Sequence, residues 1–169
     1  MQVHEALCVK RPDLISIIVP RHPERGAELG RQLGARRRSL GKESPQAGIW
    51  IADTYGELGL WYRIISIVFV GRSLIPKGGG QNMLEPARLG CTLVVGPDTS
   101  NFVDHMRLLK EANVVQEVED VNELKVFVEL MLSESYFRLK RGEHAAEVIM
   151  DLERPSTDIF SRLIQTTIG

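Results

Sequence analysis

The sequence predicts an α/β domain built on a Rossmann-like parallel sheet with helices on both faces. Three observations carry this expectation. Short, β-branched and almost wholly apolar runs recur at residues 14–19, 49–52, 67–70, 92–95 and 114–118, which is how strands covered on both faces read. Stretches of helical period separate them, and that alternation argues for parallel strands joined by crossover helices. The chain of 169 residues is long enough for one domain with a real core.

Each element has its own warrant. Residues 3–10 read as the end of a helix, with Ala6, Leu7 and Val9 among polar neighbours and Pro12 and Asp13 to stop it. The run LISIIV, residues 14–19, is the first strand. Pro20-Arg21-His22-Pro23 turns the chain, and Pro23 suits a first helical position. A helix over 24–33 ends at Gly34. Residues 37–40 read as a short strand and 41–48 as a polar loop. After the strand at 49–52, Asp53 and Thr54 are placed to cap a helix carrying Leu58, Leu60, Trp61, Ile64 and Ile65. The strand at 67–70 leads into GRSLIPKGGGQNMLEP and a helix-compatible run over 82–89. Then come a strand at 92–95, a turn at 96–101, a helix at 102–112 and a last strand at 114–118. Residues 121–132 form an amphipathic helix, 134–152 a charged one, and Ser156 is placed to cap a final helix through 164.

Composition narrows the class of function. Hydrophobic content of 43% and charged content of 25% are ordinary for a globular protein, and a net charge of −1 gives no field directed at nucleic acid. Arg36, Arg37 and Arg38 read as a solvated segment rather than a phosphate or membrane patch. Cys8 and Cys91 stand far apart, outside any metal-like spacing, and fit a reducing compartment. No apolar run approaches the ~18 residues of a membrane span. The opening residues are too charged for a secretory signal.

The chemistry is expected beyond the carboxyl ends of the strands, where ligands of open α/β sheets collect. Four loops lie there. The third, from Gly71 to Pro86, is a strand, a glycine-rich turn and a helix start in sequence. That order exposes backbone N–H groups beside a positive helix end and forms an anion seat, although glycine turns also occur where a chain merely bends. Asn82 and Glu85 have the spacing of a capping box. Pro86 disturbs that reading, because it has no donor to give if Asn82 is the cap and makes Glu85 a poor cap if it opens the helix itself. Either way Glu85 stands beside the seat, able to accept from a ribose diol. Arg21 offers a planar fork for phosphate or carboxylate, or an ion pair with Glu24. His22 reads as a turn histidine. Gly56, after Tyr55, permits close backbone approach. Glu57 reads as a helix-dipole carboxylate or as an acceptor for a base amine or sugar hydroxyl. Trp61 and Tyr62 read as core or domain contacts. No nucleophile with its base and no metal cluster is apparent.

The segments IVPRHPER, ADTYGELGLWYR, VFVGRSLIPKGGGQNMLEPARLG and GPDTSNF, in this order, resemble the carboxyl-terminal half of Kdo transferases. Those enzymes move 3-deoxy-D-manno-octulosonic acid (Kdo) from CMP-Kdo onto a lipid A precursor. The resemblance begins near His4, is specific to Phe102 and continues more loosely to about Val148. It implies the carboxyl-terminal, donor-binding half of a two-domain glycosyltransferase of the GT-B type, with residues 1–169 as that one domain. It places a CMP site at Pro20, Arg21, Tyr55, Gly56, Glu57, Asn82, Met83, Leu84 and Glu85. A phosphate or carboxylate loop at Ser73, Gly79, Gly80 and Gln81 goes with it. It implies no cofactor and no metal. The catalytic base, the contact with the lipid acceptor and the membrane-anchoring segment belong to the amino-terminal half in that family. The family works at the cytoplasmic face of the bacterial inner membrane, and this half alone is expected to be cytoplasmic.

Three departures stand out. Arg72 occupies a position where the family usually has a second glycine, Gly78-Gly79-Gly80 is one glycine longer than the usual pair, and Met83 replaces a common proline. The strand that opens this half in a doubly wound order is not recognisable ahead of residue 14. That strand lies in the middle of such a sheet, so its neighbours are expected to lack ladder partners, and the chain is expected to be a fragment that is marginal alone or rearranges its sheet. The alternative readings are a non-catalytic CMP-binding remnant, or the donor domain of a transferase using another nucleotide sugar.

Overall fold

A computed structural model describes the backbone at residues 1–41 and 45–167, and side chains within those limits through Glu153. Every strand sits on one of the predicted apolar runs except the second: β1 (Ile15–Ile18), β2 (Arg36–Arg37), β3 (Gly48–Ile51), β4 (Ile67–Phe69), β5 (Thr92–Val95) and β6 (Val115–Glu117). The helices are α1 (Gln2–Cys8), α2 (Gly26–Leu33), α3 (Leu58–Ile64), α4 (Leu84–Arg88), α5 (Val103–Glu111), α6 (Val121–Ser133) and α7 (Ser135–Thr167). All four strand pairings are parallel. They form two three-stranded sheets, ordered β1-β3-β2 and β4-β5-β6, with no ladder between β1 and β4.

The alternation of side chains along β5 shows how both faces are covered. Leu93 and Val95 point into a cluster with Met83 just before α4 and Ala87 from it, Met106 and Leu109 from α5, and Ala145 and Ile149 from α7. Val94, one residue out of phase, points to the opposite face and packs with Leu124, Phe127 and Met131 of α6. All four residues of β5 are buried, and each large apolar side chain removed from water in this way contributes about 1.5–3 kcal/mol.

Local chemistry sets several boundaries. The Asp120 carboxylate accepts from the Asn122 and Glu123 amides at 2.7 and 2.9 Å, and Glu123 returns a carboxylate to the Glu119 amide at 2.8 Å, so α6 starts on a reciprocal cap. Gly34, at φ 58°, closes α2 in the left-handed conformation. Two boundaries differ from expectation. Residues 38–40 form a 3-10 turn rather than strand. The backbone of α7 also runs on to Thr167 as one helix instead of restarting at Ser156. Proline's fixed φ is compatible with a helix interior, at the cost of one backbone bond and some crowding. Of the expected loop at 41–48, residues 42–44 lie outside the described residues.

Candidate functional site

Ser73 organises the loop between β4 and α4. It is fully buried. Its hydroxyl donates to the Val70 carbonyl at 2.6 Å and accepts from the Gly96 amide at 2.7 Å, while its carbonyl accepts from the Asp98 amide at 2.9 Å. The hydroxyl thus fastens the loop after β4 to the loop after β5 and is spent on that task. Gly96 must be glycine for the same reason, since a Cβ there would lie 2.4 Å from the Ser73 carbonyl oxygen.

Beside the glycine turn lies an anion of the protein's own, Asp98. The Asp98 carboxylate is held below the usual carboxylate range by the Ser100 hydroxyl, with the amides of Ser100, Gly79 and Gly78 adding to it. The Ser100 hydroxyl donates at 2.8 Å. Gly79 and Gly80 both take φ of 72°, a conformation L side chains rarely adopt, and a Cβ on Gly79 would strike the Asn101 side chain at 2.3 Å. The tripled glycine has a packing reason too: a Cβ on Gly78 would fall 1.8 Å from the Arg72 carbonyl oxygen.

The helix start resolves the capping question differently from both sequence alternatives. Met83 occupies the N-cap position and is fully buried. The Asn82 Oδ1 accepts from the Leu84 amide at 3.0 Å. The first intrahelical bond runs from the Ala87 amide to the Met83 carbonyl, so Pro86 falls where an amide has no partner anyway and costs no bond. Leu84 is half-buried against the core. Glu85, half-buried, turns toward α3, where a Cβ on Gly59 would lie 3.6 Å from its Oε1. Burial, with the Glu85 charge adding to it, pushes the neighbouring Tyr62 hydroxyl up to about 12.

The loops after β1 and β3 come to the same rim. Pro20 is half-buried and Arg21 exposed. Arg21 Nη1 reaches Gln81 Oε1 at 3.5 Å, and the buried Gln81 Nε2 has no hydrogen-bond partner among the described residues. Glu24 meets the Tyr55 hydroxyl at 3.5 Å and His22 at 3.6 Å, so the sequence-stated pairing of Arg21 with Glu24 is not formed. Tyr55 is 81% exposed, and Gly56 takes φ 77°.

The basic run is structural, which corrects the expectation of a solvated segment. Arg38 grips Glu57 with Nη2 at 2.8 Å and Nε at 3.1 Å, and the Thr54 hydroxyl donates to the same carboxylate. The Arg38 contact, first, and Thr54 hold the Glu57 carboxyl below its usual range. Glu57 takes the N-cap position of α3 without a side-chain cap bond, so Asp53 and Thr54 do not cap that helix. Asp53 turns inward instead, accepting from Arg37 Nε at 2.8 Å and from the Ser39 amide and hydroxyl at 2.9 and 2.8 Å. Sequence reasoning missed Arg37, Arg38, Asp53, Asp98 and Asn101 as site supports. Only Asp98 and Ser100, two apart after a glycine and a proline, carried a readable signal, that of an Asx turn.

The contacts therefore chain the four loops together: 53–57 to Glu24, Arg21 to Gln81, and Gly79 to Asp98 and Asn101. Fold and topology define a Rossmann-like α/β domain with loops gathered at the carboxyl ends of its strands.

No protein-family model matches the chain. A Haemophilus influenzae protein named 3-deoxy-D-manno-octulosonic acid transferase is 37% identical over 160 residues, spanning 89% of this chain and 37% of that protein. An Arabidopsis thaliana protein, named probable 3-deoxy-D-manno-octulosonic acid transferase, mitochondrial, is 31% identical over 95% of this chain and 36% of its own length. Among solved structures, the C-terminal CMP-Kdo binding domain of WaaA from Acinetobacter baumannii superimposes with a TM-score of 0.79 at 32% identity, covering 88% of this chain and 80% of that one. The chain belongs to the Kdo transferase family. It spans a little over a third of the length of the curated relatives.

Proposed function

We propose that the chain is the donor-binding domain of a Kdo transferase and holds the CMP group of CMP-Kdo at the rim of its sheets. The observation that carries this is the pairing of an exposed guanidinium, Arg21, with a buried amide nitrogen on Gln81, unpartnered among the described residues, where the loop after β1 meets the loop after β4. A buried donor without an acceptor is costly unless a ligand supplies one. The likeness to the Acinetobacter CMP-Kdo binding domain supports the same reading.

The roles follow from what each group has left to offer. The Gly78 amide is spent on the Ile75 carbonyl at 3.0 Å. The phosphate or the Kdo carboxylate is then met by Arg21, by the Gln81 amide and by backbone donors over residues 80–82. Glu85 holds the ribose diol. Gly56 lets the backbone beside Tyr55 approach the nucleotide closely. Glu57 acts through its Arg38 and Thr54 bonds, which fix the turn that carries Tyr55 and Gly56. Met83 and Ser73 hold the loop from below.

In the whole enzyme the expected reaction is direct displacement at the anomeric carbon. A base in the other half deprotonates an acceptor hydroxyl on a lipid A precursor, and CMP departs from this domain. On this reading the complete enzyme is expected at the cytoplasmic face of the inner membrane. Among the described residues no helix is long and apolar enough to cross a membrane.

Titration calorimetry with CMP, UMP and UDP tests the nucleotide. Arg21→Ala is expected to weaken CMP binding by about 1–3 kcal/mol, the scale of a hydrogen bond to a charged group. An unchanged dissociation constant removes Arg21 from the site, and a preference for UDP removes the Kdo donor.

A further inference from the structure

We infer that Cys8 is a thiol-modification site. Its sulfur attacks a small disulfide that carries carboxylates, His4 takes the thiol proton, and Ser16 positions the imidazole.

Three side chains from two elements make the site, and none of them belongs to the crevice described above. His4 and Cys8 lie four residues apart on α1, the spacing that brings two side chains together on one helix face. Cys8 Sγ is 3.2 Å from His4 Nε2. The other ring nitrogen, Nδ1, meets the Ser16 hydroxyl of β1 at 2.8 Å. A thiol beside an imidazole that a third group holds in place is the arrangement that activates a nucleophile. With the ring proton on Nδ1 and donated to Ser16, Nε2 is left to accept from the thiol. Burial first, then the charge of the amino terminus, keeps His4 below its ordinary value, against an opposing pull from Glu5. The ring is therefore neutral near pH 7 and able to take a proton.

The second cysteine shows what a structural thiol looks like in the same chain. Cys91 is 0% exposed, and its sulfur faces the Tyr62 and Ile65 carbonyls at 3.2 and 3.6 Å. It has carbonyl acceptors in place of a base, and no access. Cys8 is only half-buried and has the imidazole.

The surroundings set the substrate class. Buried Leu7 seats α1, and Lys10–Glu129 and Arg11–Ser133 contacts fasten the chain after it to α6. Leu7, the neighbour of Cys8, lines a cleft of about 300 Å³ together with Lys10, Arg11, Glu129 and Ser133. That volume suits a small molecule, and two cations against one carboxylate favour an anionic one. The step balances as a thiol–disulfide exchange. The Cys8 sulfur bonds to one sulfur of the disulfide, the old S–S bond breaks, and the thiol proton passes to His4 Nε2. The other half leaves as a thiolate and takes that proton. Cys8 is oxidised to a mixed disulfide, the departing half is reduced to a thiol, and no further oxidant is needed.

The probes are oxidised glutathione, which carries carboxylates, and cystamine, whose charged groups are all ammonium. Each is reacted with the full chain, and peptide mapping follows Cys8 and Cys91 separately. A free thiol is only about 3% ionised at pH 7, so a base has room to accelerate it. Cys8 in the folded chain is expected to react with oxidised glutathione about tenfold faster at pH 7 than in the urea-unfolded chain. The gain should vanish by about pH 10, where the thiol ionises unaided. A merely structural cysteine does the opposite, since folding hides it. His4→Gln is expected to lose the gain at pH 7 and match the parent at high pH. Ser16→Ala is expected to lose part of it, and Ser16→Thr, which keeps the hydroxyl, to retain it. The gain is expected to be smaller for cystamine. The inference is overturned if folded Cys8 reacts no faster than unfolded, if the parent and His4→Gln profiles coincide, or if cystamine shows the larger gain. A Ser16→Ala profile equal to the parent's overturns the positioning role. Should His4→Gln fail to fold, the folded-to-unfolded ratio in the parent decides alone. CMP binding has no bearing on these outcomes.

Discussion

Asp53→Asn is the most informative perturbation of the rim, because Asp53 supports the site without facing it. Its side chain is 1% exposed, and its Arg37 partner is 24% exposed. Asparagine keeps one oxygen for the Ser39 amide but loses the charge that Arg37 Nε meets at 2.8 Å. Breaking a wholly buried pair costs about 3–5 kcal/mol. Water reaches a quarter of Arg37, so the expected loss is nearer 2 kcal/mol, at the lower end for charged hydrogen bonds. For a chain of this size that lowers the melting midpoint by about 4–8 °C. The pH dependence gives a second arm. Burial pushes the Asp53 carboxyl up, but the Ser39 amide and hydroxyl and Arg37 pull it further down, leaving it below its ordinary value of 3.8. The lowered value means that the contribution is complete above pH 3.8 and fades as pH falls through the folded-state value. The variant should therefore lose stability less steeply in acid than the parent. Calorimetric melts from neutral pH into acid measure both. Equal midpoints at neutral pH, or equal slopes in acid, would refute the argument that this carboxylate pins residues 37–39.

Three further outcomes follow from the geometry. Arg72 takes φ 67°, where the family resemblance has glycine, so Arg72→Gly should stabilise the chain by about 0.5–1 kcal/mol, the left-handed penalty less the entropy glycine adds to the unfolded state; a lower denaturation midpoint would show that the arginine side chain outweighs the strain. Gly96→Ala sets a Cβ against the Ser73 and Leu74 backbone at 2.4–2.6 Å, and denaturant melts should show a loss of about 2–3 kcal/mol, with unchanged stability ruling out the close loop approach. Burial pushes the Cys91 thiol up to about 11, and it lies 3.2 Å from the Tyr62 carbonyl, so a disulfide reagent at neutral pH should modify half-exposed Cys8 and reach Cys91 only on unfolding.

The strands were legible because burial on both faces leaves a local mark. Residues 14–19, 49–52 and 92–95 are apolar without interruption, and such runs have few other stable uses. The second strand left no such mark. Two arginines form it, and it exists because Arg37 reaches Asp53 and pairs beside Ile51, both distant in sequence. The same holds for the α3 cap. Asp53 and Thr54 have the composition of capping residues, but a partly buried guanidinium and a neighbouring carboxylate compete for them and win, since a charged hydrogen bond is about twice as strong as a neutral one.

The glycine turn separates what chemistry can be read from a sequence from what cannot. That its amides favour an anion followed from residue types alone, because positive φ and exposed donors need only glycine. Which anion takes them depends on distance, and Asp98 stands eighteen to twenty positions further along the chain, on another loop. Its carboxylate is covalently tethered, so the Ser100 amide and hydroxyl are met without the entropy that capturing a free phosphate costs. An internal acceptor of that kind stiffens a loop that would otherwise carry unpaired donors between ligand encounters. The ligand's share of the rim is then the part that has no internal partner, the Gln81 nitrogen beside Arg21. Gln81→Ala should therefore weaken CMP binding, and an unchanged dissociation constant in titration calorimetry would remove Gln81 from the site.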